Sequence, residues 1–170
     1  MDRGEYGFEA PWGTLLKVIS ILVTVLLLGI FGGTALLGGL TSPVQILLYV
    51  LVPMAIVFSC LLFVVRGYTV TEDGLSVRRL LWETSVPLGV IRSVEHDPKA
   101  MTGAIRTWGN GGLYSFSGRY RSGRLGSFRA FVNDYHNCVV IKTVSGTVVV
   151  SPGNPELFVE VLEKKLWDRA

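Results

Sequence analysis

The stretch that decides the architecture is VISILVTVLLLGIFGGTALLGGL (18–40), then Thr41-Ser42-Pro43, then VQILLYVLVPMAIVFSCLLFVV (44–65). Neither apolar run contains a charged residue. At ~1.5 Å per residue each run makes a helix of about 30 Å, the thickness of a bilayer's hydrocarbon core. A three-residue connection lets the chain do nothing but reverse, so the sequence predicts a tight antiparallel hairpin of two transmembrane helices, about 15–40 and 44–65. Both chain ends are then expected on one side of the membrane.

The basic residues say which side. The hairpin tip carries no Lys or Arg, whereas Arg3 and Lys17 flank the first run and Arg66, Arg78 and Arg79 follow the second. The positive-inside rule puts both termini on the cytoplasmic face of the cell membrane. A cleaved secretory signal is the rival reading. The first run far exceeds the usual ~7–15-residue apolar region of such signals, and the leader before it is mixed in charge, with Asp2, Glu5 and Glu9. Residues 1–14 are thus read as a short cytoplasmic leader, 15–66 as the hairpin and 67–170 as a cytoplasmic domain. Cys60 within the second run and Cys138 downstream have no plausible bridge between them, which suits a reducing compartment.

Within the first run, Gly29 and Gly33 stand in a G-x-x-x-G spacing, and Ala35 and Gly39 repeat the four-residue interval. Small residues on one helix face let another backbone approach closely. Packing against the second helix is the expectation, with dimerisation as the alternative. Lys17 can snorkel to the headgroups beside Trp12. With no Asp, Glu, Lys, Arg or His inside either run, an ion path or proton relay has no candidate residue.

From Arg66 onward the chain has another character, with 14 Lys plus Arg against 10 Asp plus Glu. Tyr68 to Thr71 and Leu75 to Leu80 flank Glu72-Asp73-Gly74, which reads as a hairpin. Further strand candidates are 84–88, 91–95, 125–132, 138–143 and 147–151. Seven short strands at close intervals suggest a small antiparallel barrel or sandwich. A helix closes the chain: Asn154 is a good N-cap, Pro155 fits the first helical position, and Leu157, Phe158, Val161, Leu162 and Leu166 form one apolar stripe.

Several blocks make a resemblance specific. Tyr68-x-Val70, Asp73-Gly74-Leu75, Val86-Pro87-Leu88-x-x-Ile91, Gly109-Asn110-Gly111-Gly112-Leu113 and Ser151-Pro152-x-x-Pro155-Glu156-x-Phe158 together resemble the bacterial pleckstrin-homology-like (PH-like) domain family over about 67–166. The resemblance implies an α+β domain, an antiparallel and partly open β-barrel of about seven strands capped by one C-terminal helix. It also implies a non-enzymatic binding platform, for lipid headgroups, peptides or copies of itself. Animal relatives that bind phosphoinositides use clustered basic residues between the first two strands. Here that loop is Glu72-Asp73-Gly74, so the lipid site does not carry over. Arg78 and Arg79, as strand neighbours, point to opposite faces and cannot both line one pocket.

The most suggestive functional segment is 99–129. It contains no acidic residue and interleaves Lys99, Arg106, Arg119, Arg121 and Arg124 with Trp108 and Tyr120. Such residues can meet anionic headgroups, at roughly 1 kcal/mol per basic residue near the surface. Since Arg66 alone separates the second run from this domain, tethering would make weak contacts count. The plainer reading is that the glycines make turns, the aromatics are core and the charges are solvated. The reading that follows is a domain that recruits or organises a protein partner or copies of itself (a homo-oligomer) at the membrane face, with an anionic lipid held by segment 99–129 as the alternative. A modest positive excess on a tethered domain argues against nucleic acid.

Catalysis, cofactors and metals find no support. Asp134, His136 and Cys138 share an i, i+2, i+4 spacing without a second ligand cluster, and Asn133 to Asn137 reads as a polar turn. His96-Asp97-Pro98 reads as a strand exit. Gly109-Asn110-Gly111-Gly112 lacks the Lys-Ser/Thr continuation of a phosphate loop.

Overall fold

A computed structural model describes residues 5–37 and 42–169 of the chain. Helix α1 spans Thr14–Leu37 and α2 spans Pro43–Leu62, both long and apolar enough to cross a membrane. Ser42 caps α2 in a capping box with Gln45, whose Oε1 accepts from the Ser42 N–H at 3.1 Å. Leu47–Leu51 form a π-helical turn, with the Val52 N–H reaching Leu47 O. Pro53 has no N–H to continue an α-helical ladder, and the widened turn accommodates that loss.

Among the described residues there are ten strands, the seven that the sequence suggests and three more. One four-stranded sheet runs β1-β2-β3-β4: β1 (Tyr6–Glu9), β2 (Gly67–Val70), β3 (Gly74–Arg78) and β4 (Glu83–Pro87). A six-stranded sheet runs β5-β9-β10-β8-β7-β6: β5 (Ile91–His96), β6 (Ile105–Gly111), β7 (Phe116–Ser122), β8 (Gly126–Val132), β9 (Val139–Thr143) and β10 (Gly146–Val150). All pairs are antiparallel except β8 with β10. The sheets do not close on each other, and α3 (Pro155–Trp167) covers the inner face, so the partly open, helix-capped PH-like architecture is present. Asn154 caps α3 by accepting from the Leu157 N–H at 3.1 Å.

β1 alters the reading of the leader. Residues 6–9 pair along the whole of β2, and the Phe8 ring meets Phe158 of α3 edge-on at 5.0 Å. A segment expected as a simple leader is thus paired into the domain that follows the two apolar helices. Phe8 joins a core of Tyr68, Val70, Leu75, Phe131 and Phe158 that links both sheets to α3. A second core, on the other face of the six-stranded sheet, joins Leu16 of α1 to Met101, Phe116, Tyr120 and Phe128.

The beginning of α1 is therefore packed on protein. Leu16 and Ser20 are buried. Ser20 Oγ accepts from the Tyr114 N–H at 3.0 Å, and the Tyr114 and Thr24 hydroxyls bond at 2.9 Å. Tyr114, with φ of 64°, stands at the β6–β7 turn and also lines a groove between α1 and α2 with Thr24, Phe58 and Leu61. The turn is thus bonded to α1, with Tyr114 at the border of the groove.

Gly29 and Gly33 do not face α2. Leu27, Leu28 and Phe31 of α1 face Val50, Pro53, Met54 and Val57 of α2 across the groove. A Cβ built on Gly29 or Gly33 meets nothing within 4 Å, because these residues lie on the opposite side of the helix. Gly39 and the side chain of Ala35 lie outside the described residues.

Candidate functional site

The roots of both helices are fastened to the sheet by one buried side chain. Asn133, directly after β8, donates from Nδ2 to Val65 O at 2.8 Å and to Ala10 O at 3.0 Å. Its own N–H donates to Ser151 Oγ at 2.8 Å, and its carbonyl accepts from the Gly13 N–H at 3.0 Å. Tyr68 Oη adds a bond to Phe131 O at 2.7 Å and accepts from the Ser151 N–H at 3.0 Å. Burial raises the Tyr68 hydroxyl well above its ordinary pKa and keeps it a neutral donor.

Beside this junction lies a cleft of about 500 Å³ between the end of α2 and the face of β6, β7 and β8 that carries Phe131. Ser59, Cys60 and Phe63 form the helix wall, Trp108 and Asn110 come from β6, and Arg79, Arg119 and Arg129 converge from three elements. Alternation along the strands explains the facing. Ser117 pairs with Phe131 and Arg119 with Arg129, all at period two on one face, while Tyr120 and Phe128 point into the second core.

Gly109 and Gly118 sit opposite each other where β6 crosses this region, at φ of 101° and 148°. A Cβ on either would strike the other strand's backbone, so the close approach requires glycine at both.

The electrostatics of the cleft are one-sided. Like charges directly opposite across a strand pair are destabilising unless something neutralises them. Among the described residues no carboxylate lines the cleft, and none of its three arginines makes an ion pair. Arg79 is held by stacking: its guanidinium lies 4.9 Å from the Phe131 ring centre, 5.5 Å from Trp82 and 5.8 Å from Phe63. Its Nε is buried without a hydrogen-bond partner. Burial, then the charge of Arg129, lowers the Arg79 pKa from the ordinary arginine value. Planar guanidinium groups without carboxylate partners suit a phosphate or carboxylate ligand.

Of the residues singled out in the sequence, Trp108 and Arg119 reach this cleft. Tyr120 is buried in the second core, with its hydroxyl donating to Asn110 O at 2.7 Å, so it is structural. Arg124 is engaged by Asp97. Arg106 Nη1 donates to Gly109 O at 3.0 Å along its own strand. Arg121 is exposed two residues beyond Arg119, and Lys99 lies in the 97–102 loop, whose N–H bonds to Asp97 Oδ1. The segment is thus not one continuous surface. Arg79 and Phe63 were missed as members because they join through packing, whereas Arg129 is the last residue of the 99–129 segment.

The remaining polar clusters have local roles. Asp134 accepts from the His136 N–H at 3.0 Å and from Asn137 Nδ2 at 2.9 Å, which orders the bend after β8. Cys138 is buried, and burial followed by the charge of Asp134 pushes its thiol up to about 12. At neutral pH it is a protonated thiol and a poor nucleophile or metal ligand. Among the described residues no group of three potential ligands gathers.

A family model described as Bacterial PH domain matches residues 66–166. The chain belongs to the bacterial PH domain family. Strand β1 lies outside the matched stretch and extends its sheet. Neither the comparison with curated proteins nor that with solved structures gave a match.

Proposed function

We propose that α1 and α2 cross the cell membrane and hold a non-catalytic PH-like domain at its cytoplasmic face, where Arg79, Arg119 and Arg129 bind the phosphate-bearing headgroup of an anionic lipid. PH-like domains are generally binding modules, which supports a recognition role. The observation that carries the reading is the position of the cleft. Three guanidinium groups without carboxylate partners stand against Ser59, Cys60 and Phe63, the last turns of an apolar helix. A lipid headgroup is the anion that such a place would meet at high local concentration.

The test uses the full chain in nanodiscs of phosphatidylcholine, with and without phosphatidylglycerol. Anionic lipid should raise the thermal midpoint and co-purify with the protein, and both effects should be lost in Arg119→Gln/Arg129→Gln but kept in Arg121→Gln. Equal behaviour of the two variants would remove the cleft from the account.

The second reading, docking of a protein partner or another copy, rests on β6. It is an edge strand with Ile105 and Trp108 exposed at 73% and 77%. A register shift between Arg106 and Trp108 blunts that edge, as natural proteins do to prevent pairing. Crosslinking in native membranes checks this reading.

A further inference from the structure

The β3–β4 turn has the wrong composition for a turn in water. Turns in water favour Gly, Pro, Asn, Asp and Ser, yet this one is Arg79-Leu80-Leu81-Trp82. It is closed by the Arg79 N–H donating to Trp82 O at 3.1 Å. Leu80, Leu81 and Trp82 are exposed at 47%, 70% and 36%, comparable with Phe63 and Met54 on α2 at 43% and 65%.

The register fixes where this turn lies. The Arg66 N–H donates to Arg78 O at 2.9 Å, and Gly67 pairs with Arg78. Arg66 is where the chain leaves the second apolar run for β2. Residues after Arg78 therefore continue past the start of β2, back along the end of α2. The ring contact agrees: Trp82 meets Phe63 edge-on at 5.1 Å. Arg79, the one charge in the turn, is folded back over Phe63, Trp82 and Phe131.

We propose that Leu80, Leu81 and Trp82 insert into the interfacial layer of the bilayer beside α2, as a third membrane contact that fixes the tilt of the PH-like domain. The proposal rests on the reading that α1 and α2 span the membrane. The occupant is lipid because the turn continues the apolar surface of α2 through Phe63, and because tryptophan next to a snorkelling arginine matches a membrane–water interface. The inserted turn holds Arg79 at headgroup level, at the mouth of the arginine cleft.

Full-length protein is reconstituted in phosphatidylcholine vesicles, with single cysteines carrying an environment-sensitive fluorophore in a Cys60→Ser background; Cys138 is buried and stays unlabelled. Leu81→Cys reports the turn. Met54→Cys reports the middle of α2, and Glu72→Cys reports the opposite tip of the β2–β3 hairpin. The Leu81 label is expected to lose most of its emission to a quencher attached near the lipid headgroup and to be shielded from iodide. The Met54 label should respond to a quencher deep in the acyl chains, and the Glu72 label to iodide. A Leu81 label that follows Glu72, while Met54 remains lipid-exposed, overturns the insertion and leaves the spanning helices intact. A Leu81 label shielded from both quenchers would mean that protein covers the turn, which also overturns it. A Met54 label open to iodide would overturn both readings together.

Discussion

Asn133→Ala removes the side chain that ties the root of each apolar helix to the sheet. Two carbonyls lose their donor, Val65 O at 2.8 Å and Ala10 O at 3.0 Å, in residues only 1% and 7% exposed. An orphaned buried acceptor costs about 1–3 kcal/mol, so two cost about 2–6. Asn133 Oδ1 is itself buried without a partner, and removing it returns part of that cost. The expected net loss is about 2–4 kcal/mol, or at least about thirtyfold in an opening equilibrium. Hydrogen exchange of the full chain in nanodiscs should show it first at the amides of β1, β2 and the start of α1. Asn133→Asp, which keeps the shape but cannot donate, should be no better than alanine. Exchange within threefold of the parent at these amides in both variants would refute the view that Asn133 holds the junction.

The other predictions follow from single contacts. Phe8→Ala removes a ring that is 7% exposed and packed on Phe158, and should cost about 3–5 kcal/mol and expose α3 to proteolysis, which limited digestion reads. Asn154→Ala should cost about 1 kcal/mol through loss of the cap on Leu157, measurable as a shift in the unfolding midpoint. Cys138 and Tyr135, each pushed up to about 12 from 9.0 and 10.0 by burial, hold their protons more tightly when folded than unfolded. Their contribution to stability is therefore complete below about pH 9 and lost as pH climbs toward 12. Thermal midpoints should fall across that window, and less steeply in Cys138→Ala.

Much of the fold was readable because its signals are local. Apolar length fixes the two helices, turn residues delimit seven strands, and Asn154-Pro155 starts α3. The misses have physical causes. β1 is four residues long within a charged leader, and it exists because the open edge of β2 accepts it. β6 and β7 are rich in glycine and arginine, and β6 is exposed along nearly its whole length, so no alternation marks it. Its pairing with β7 instead depends on Gly109 and Gly118 meeting at one level. Gly29 and Gly33 have the spacing of a packed face, but helical phase relative to α2 depends on how Leu16, Ser20 and Thr24 seat α1 on the domain.

By itself the sequence determined the two long apolar helices, the PH-like strands and closing helix, and an acid-free basic stretch, because each depends on residues close together in the chain. Tertiary structure alone decided which cations meet. Arg79 lies 40 residues before Arg119, and a one-residue change of register would turn the strand arginines Arg119 and Arg129 to the opposite face. It also decided that the leader belongs to the domain and that an apolar turn lies level with the end of α2. Strand pairing is a long-range choice, set by the combined packing of both cores.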